Sequence, residues 1–120
     1  MVTITNLAQA RHTPMGDRGD QLLLVNPQMG AQHLDLHVNI LRPGGPDGTY
    51  HYHPTSENVY VVLSGTGRFL AEGREYTVKK DDVVFIPAGA KHSLSARGTE
   101  NLVIVEIYTP LPAQFVPVKD

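Results

Sequence analysis

From His33 to Ile40 the chain alternates strictly. Leu34, Leu36, Val38 and Ile40 fall on one face, and His33, Asp35, His37 and Asn39 on the other. A period of two predicts a β-strand with its apolar face toward a core and its polar face toward solvent or a second subunit. The next stretch, "RPGGPDG", is punctuated five times by proline or glycine and reads as a loop. Beyond it come "TYHYH", "NVYVVLSG", "TGRFLAEG", "REYTVKK", "DVVFIPAG", "KHSLSAR" and "NLVIVEIYTP". Each is short, rich in β-branched or aromatic residues, and bounded by Gly, Pro, Asp or Asn, as strands are. "SGTG" and "AEGRE" read as hairpin turns. No segment carries a long apolar repeat of period 3.6. The prediction is an all-β antiparallel sandwich or barrel.

The pattern weakens over the first ~19 residues. The last stretch, "TPLPAQFVPVKD", carries three prolines and reads as an extended arm. Phe115 and Val116 need cover, so the arm is expected to cross the barrel or a neighbouring subunit. One domain over residues 1–120 is expected, with a core barrel over about 32–109 and an arm at each end.

Composition narrows the chemistry. Ten basic and twelve acidic side chains give a formal charge of −2, which argues against nucleic acid as the main partner. There is no cysteine, so disulfides, thiolate metal sites and a cysteine nucleophile are excluded. No basic start followed by an apolar core marks a secretory signal, and the longest apolar runs are far too short for a membrane helix. A soluble cytoplasmic protein is the simplest expectation.

Two clusters carry candidate chemistry. In "GTYHYHPTSEN", His51 and His53 are two residues apart, so on a strand both imidazoles point to one face and Tyr52 to the other. Taken alone, such a pair is more often a solvated feature than a ligand pair. In "DDVVFIPAGAKHSLSA", His92 follows the turn at Pro87–Gly89. A closed barrel brings strands distant in sequence side by side, and that is what joins the two clusters.

Together these residues resemble the cupin motifs. Gly45, five residues, His51-Tyr52-His53, "PTSEN" and Gly65 resemble the first motif; Asp81, five residues, Pro87, Gly89, His92 and Ala96 resemble the second. Asp81 stands where the family has glycine and Ala96 where it has asparagine. Fifteen residues separate Gly65 from Asp81, the short spacing of small single-domain cupins. The resemblance spans roughly Leu34 to Tyr108. It implies a double-stranded β-helix (jelly-roll) barrel with a divalent metal at one end, held by His51, His53 and His92.

The family's acidic ligand belongs where six residues separate it from the closing glycine. That position is Asn58, whereas Glu57 has the expected three-residue spacing after His53. One residue of shift turns a strand side chain to the opposite face. Either the chain bulges and Glu57 reaches the metal, or the register is regular, Asn58 faces inward and Glu57 faces solvent. Counting favours Asn58. Imidazole suits Zn, Fe, Ni and Cu; Fe or Mn would allow redox chemistry, Zn or Ni Lewis-acid roles, and three protein ligands leave positions open for a substrate.

Tyr60 should share the face of Asn58 and either line the pocket or pack in the core. His37 is a further pocket candidate, although the solvent or dimer face is the plainer reading for its strand. Lys91 reads as a rim residue useful to an anion. The resemblance implies an enzyme acting on a small oxygen-chelating molecule, a dioxygenase or a metal-assisted isomerase or cyclase. The alternatives are a non-catalytic module binding a sugar or carboxylate, or a scaffold with a vestigial site. Such cupins pair through a sheet edge, so a homodimer is expected.

Overall fold

The computed structural model describes residues 1–119. Eleven strands run β1 (Arg11–Pro14), β2 (Gly19–Val25), β3 (Asp35–Leu41), β4 (His51–Tyr52), β5 (Glu57–Ser64), β6 (Thr66–Ala71), β7 (Arg74–Lys79), β8 (Val83–Ile86), β9 (His92–Arg97), β10 (Leu102–Thr109) and β11 (Val116–Pro117). They form two sheets, ordered β1-β2-β3-β10-β5-β8 and β11-β4-β9-β6-β7. Every strand pairing is antiparallel. The antiparallel all-β fold expected from the strand pattern, and the double-stranded β-helix implied by the resemblance, are the observed architecture. No helix among the described residues is long and apolar enough to cross a membrane.

Between the sheets lies one apolar cluster of Leu41, Tyr60, Val62, Phe69, Val78, Ile86, Leu94, Ala96, Leu102 and Ile104. Strand alternation delivers it: Asn58, Tyr60 and Val62 of β5 are buried while Val59 and Val61 between them are only partly so. Ala96, in place of a polar residue, simply packs in this cluster. The left-handed turn between β5 and β6 explains the glycine that closes the first motif. Gly65 has φ +84°, and a Cβ there would collide with the Asn101 carbonyl oxygen. Asp81 is also left-handed, at φ 74°, a conformation aspartate tolerates better than most residues.

Two strands precede the expected start of the barrel. β1 and β2 extend the sheet beyond β3, with Leu22 opposite Val38 and Gln21 opposite Asn39. This reverses the reading of β3. His37 and Asn39 are buried, 3 % and 8 % exposed, on the strand face that turns inward with Leu41. Val38 packs with Leu22 and Leu24 in a second cluster that also takes in Leu36, Ile40, Val103 and Val105. The solvent-face expectation for His37 failed because it assumed one apolar layer, whereas this sheet is apolar on its outer side as well.

Candidate metal centre

Local pairing assembles the three histidines. β4 is only two residues long, and its His51 sits directly opposite His92 of β9. His53 follows at i+2 on the same face. The Pro87–Gly89 turn is anchored to the first cluster, since Gly89 N–H donates to the His53 carbonyl at 2.8 Å. One ring nitrogen of each histidine lies within 4.8 Å of those of the other two. Ring centroids are 4.4 Å apart for His51 and His92, and 4.9 Å for His51 and His53.

The hydrogen bonds decide which nitrogens are free. Nδ1 of His51 meets the Thr49 carbonyl at 2.7 Å, Nδ1 of His53 the Gln114 carbonyl at 2.8 Å, and Nδ1 of His92 the Ala90 carbonyl at 2.8 Å. A carbonyl only accepts, so each Nδ1 carries the proton and each Nε2 presents a lone pair. Nε2 of His53 and of His92 are buried and have no partner. Buried polar atoms are rarely left so. Burial lowers the His51 pKa to about 4 and lowers that of His92, which keeps both imidazoles neutral at pH 7. Neutral, lone-pair-bearing, unpartnered nitrogens are what a borderline divalent cation binds, so the residues fit a metal.

Asn58 is 1 % exposed on the inward face of β5, while Glu57 beside it is exposed. β5 is regular here, with Glu57 opposite Thr109, Asn58 opposite Tyr108 and no bulge. Glu57 is therefore corrected out of the candidate ligand set, because an unbroken alternation turns it outward. Asn58 Nδ2 donates to the Ile107 carbonyl at 2.8 Å, and its Oδ1 is buried without a partner. Lys91 is exposed, in keeping with a rim position.

Of the three histidines His51 opens on a cavity of about 230 Å³, lined also by Arg18, Asn39, Tyr60, Glu106 and Phe115, among others. Burial pushes the Tyr60 pKa well above its ordinary value, so its hydroxyl stays a donor. Glu106, on β10, was missed in the sequence. It is 5 % exposed and accepts on Oε1 from His37 Nε2 at 2.9 Å and from Asn39 Nδ2 at 2.8 Å. His37 Nδ1 bonds Asp35 at 2.7 Å, so the ring is held between two carboxylates. Burial alone would lower the His37 pKa; these two bonds outweigh it and raise it to about 9. Burial alone would raise that of Glu106, but its bond to His37, the His37 charge and the amides of Asn58 and Asn39 hold it low. The pair is an imidazolium and a carboxylate at neutral pH. The signal for Glu106 was a lone acid in "NLVIVEIYTP", in step with the inward Leu102 and Ile104. Arg18 also lines the cavity; its Nη2 donates to the Leu94 carbonyl at 3.1 Å, and among the described residues it forms no ion pair.

Comparison with known proteins agrees with this architecture. The chain is 34 % identical over 67 residues to a mannose-1-phosphate guanylyltransferase of Klebsiella pneumoniae, covering 56 % of this chain and 14 % of that one. It is 29 % identical over 89 residues to the tetracenomycin polyketide synthase protein TcmJ of Streptomyces glaucescens, covering 74 % of this chain and 59 % of that one. The chain thus spans less than two thirds of both relatives. The polyketide cyclase RemF of Streptomyces resistomycificus has the same fold, with a TM-score of 0.84, 18 % identity, and coverage of 100 % of this chain and 87 % of that one. The family profile of the cupin domain matches residues 37–108, more than half of the chain and both histidine clusters, and the chain belongs to the cupin family.

Proposed function

We propose that the chain is a metal-dependent enzyme that moves a proton on a small, oxygen-chelating carboxylate. The observation that carries this reading is the cluster of three imidazoles, one of which, His51, opens on the same small cavity as the buried, ionised Glu106. His51, His53 and His92 would hold a divalent cation. When bound, that cation would act as a Lewis acid toward a chelated carbonyl or hydroxyl oxygen. Arg18 supplies a cationic anchor for a carboxylate, and the Tyr60 hydroxyl a donor for a further oxygen. The His37 and Asn39 bonds to Glu106 fall on Oε1, and Oε2 would accept a proton from the ligand. His37, protonated and fixed by Asp35, keeps that carboxylate ionised between turnovers. Isomerisation or cyclisation uses such a base directly, so we favour it over dioxygen cleavage. Likeness to a polyketide cyclase and to a polyketide synthase protein supports the same choice.

The test is the metal content of untagged protein purified without chelator or added metal, followed by turnover of small hydroxy- and oxo-carboxylates. Near-stoichiometric divalent metal and solvent-derived deuterium in a recovered acid are expected. A chain that takes up no metal on titration overturns the reading. A loaded chain that retains an acid unchanged would favour a binding module instead.

We also propose a homodimer through the outer face of the six-stranded sheet, rather than through a sheet edge. Antiparallel sheets that meet water on one side are polar on that side. Here Leu36, Ile40, Val103 and Val105 gather on the outer side, and Val83 and Phe85 of the edge strand are 65 % and 58 % exposed. The N-terminal arm, continuous with the opposite edge strand β1, adds exposed Met1, Val2 and Ile4. A second copy, related by a two-fold axis, is the occupant that covers both at once. Light scattering at micromolar concentration should give twice the chain mass; a monomer would count against the pairing.

A further inference from the structure

The proline-rich tail does more than cover the barrel. β11 pairs with β4, placing Val116 opposite Tyr52 and Pro117 opposite His51, and Val118 N–H donates to the Tyr50 carbonyl at 2.9 Å. β4 meets β9 through the single pair His51–His92, so its other edge is held by the tail alone. The Nδ1 partners of His51 and His92 lie two residues away in their own segments. That of His53 is the carbonyl of Gln114, 61 residues away. The Phe115 ring stacks on His51 with centroids 4.1 Å apart and planes at 21°, and it lines the cavity mouth. Two of the three histidines thus take their orientation from two consecutive tail residues.

The tail itself is lightly held. Apart from its backbone pairing, its anchors are the His53 imidazole on the Gln114 carbonyl, the Ser56 hydroxyl on the Pro110 carbonyl and the stacked Phe115, which is still 53 % exposed. Segments with few buried contacts open at small free-energy cost.

We propose that the C-terminal strap is a working part of the metal centre: Gln114 and Phe115 are positioning residues, and docking of the strap and binding of the cation are one coupled equilibrium. With the strap docked, His53 keeps the tautomer that presents Nε2, and His51 keeps its rotamer. With the strap open, both lose that support and the cavity mouth widens. By reciprocity, a cation that binds the docked form better must close the strap by the same factor. The strap is then a lid whose closure depends on the loaded metal. This rests on the three-histidine metal site proposed above.

The experiment is hydrogen exchange on the metal-free full-length chain, before and after one equivalent of Zn²⁺, with calorimetric titration of the same cation. Protection of the backbone amides over residues 113–118 should rise by about tenfold or more on loading, within the 5–150-fold range of such couplings. The β6–β7 hairpin, away from the strap, serves as the internal reference. Phe115→Ala should weaken Zn²⁺ binding by roughly 10–100-fold, as loss of a ligand's support does, with the melting temperature of the metal-free chain little changed. Phe115→Tyr should restore the affinity. Zn²⁺ bound with wild-type affinity by Phe115→Ala, together with unchanged strap exchange, overturns the coupling and leaves the metal site standing. Absence of any Zn²⁺ uptake overturns both.

Discussion

His92→Ala is expected to lose divalent-metal binding by more than roughly 100-fold, the upper end of what removing a mere supporting partner costs. His92 is fully buried, and its Nε2 has no protein partner to return to. Removal of one member of the set leaves two imidazoles, and among the described residues no carboxylate groups with them, Glu57 facing outward. Competition against a chromophoric chelator reads the affinity. The alanine also opens a cavity where the imidazole was, so His51→Ala, at a half-buried position, is the companion variant. Circular dichroism should report the barrel intact in at least the second. Wild-type affinity in a folded His51→Ala chain would defeat the three-histidine centre.

The second large effect is on stability. His37→Ala leaves Glu106 as a buried carboxylate stripped of its cation, with Asn39 as its remaining partner on Oε1. Breaking a buried pair in this way costs about 3–5 kcal/mol, a large share of what a domain this size has to lose. Chemical denaturation measures it. Replacing both members, His37→Leu with Glu106→Leu, should recover much of the loss, because no uncompensated charge then remains. A His37→Ala chain as stable as wild type would show that the pair is not buried as described.

The same pair sets a pH dependence. Its His37 pKa of about 9 lies above the ordinary 6.5, so the folded chain holds this proton more tightly than the unfolded chain does. The stabilisation is fully present below about pH 6.5 and is lost as pH rises through about 9, amounting to roughly 3 kcal/mol. Glu106 acts at the other end: its lowered pKa gives stability above the ordinary carboxylate range that disappears in acid. His51, lowered to about 4 by burial, adds to the acid loss in the metal-free chain, since unfolding lets it take up a proton below pH 6.5. Stability of the metal-free chain should peak near pH 6.5 and fall on both sides, and the alkaline fall should vanish in His37→Ala.

Most of the barrel was legible because short strands with clear turns leave few alternatives. The three histidines were legible through their match to the cupin motifs, since i, i+2 spacing puts His51 and His53 on one face but does not by itself make them ligands. The polar interior was harder. Alternation along β3 said which residues share a face, but not which face looks inward, since that depends on Leu22 and Leu24 covering the other side. Arg18 lay where the pattern was weak, and its place at the cavity depends on β2 pairing with β3 and on the Leu94 carbonyl, neither of which is local. Asn58 against Glu57 turned on a single residue of register, and the regular pairing of β5 with β10 decides which side chain faces inward.

The outward turn of Glu57 has an effect on the electrostatics of the whole mouth. Three imidazoles contribute no negative charge, so a divalent ion held by them would keep both of its positive charges, with the Arg18 guanidinium lining the same cavity and Glu106 already matched by His37. The neutralising charge must then come from whatever enters. Citrate, phosphate and oxalate buffers would compete with the physiological ligand, and handling the protein in them would occupy or strip the centre before any assay began. Weakly coordinating zwitterionic sulfonate buffers are the conditions in which its natural ligand has the field to itself.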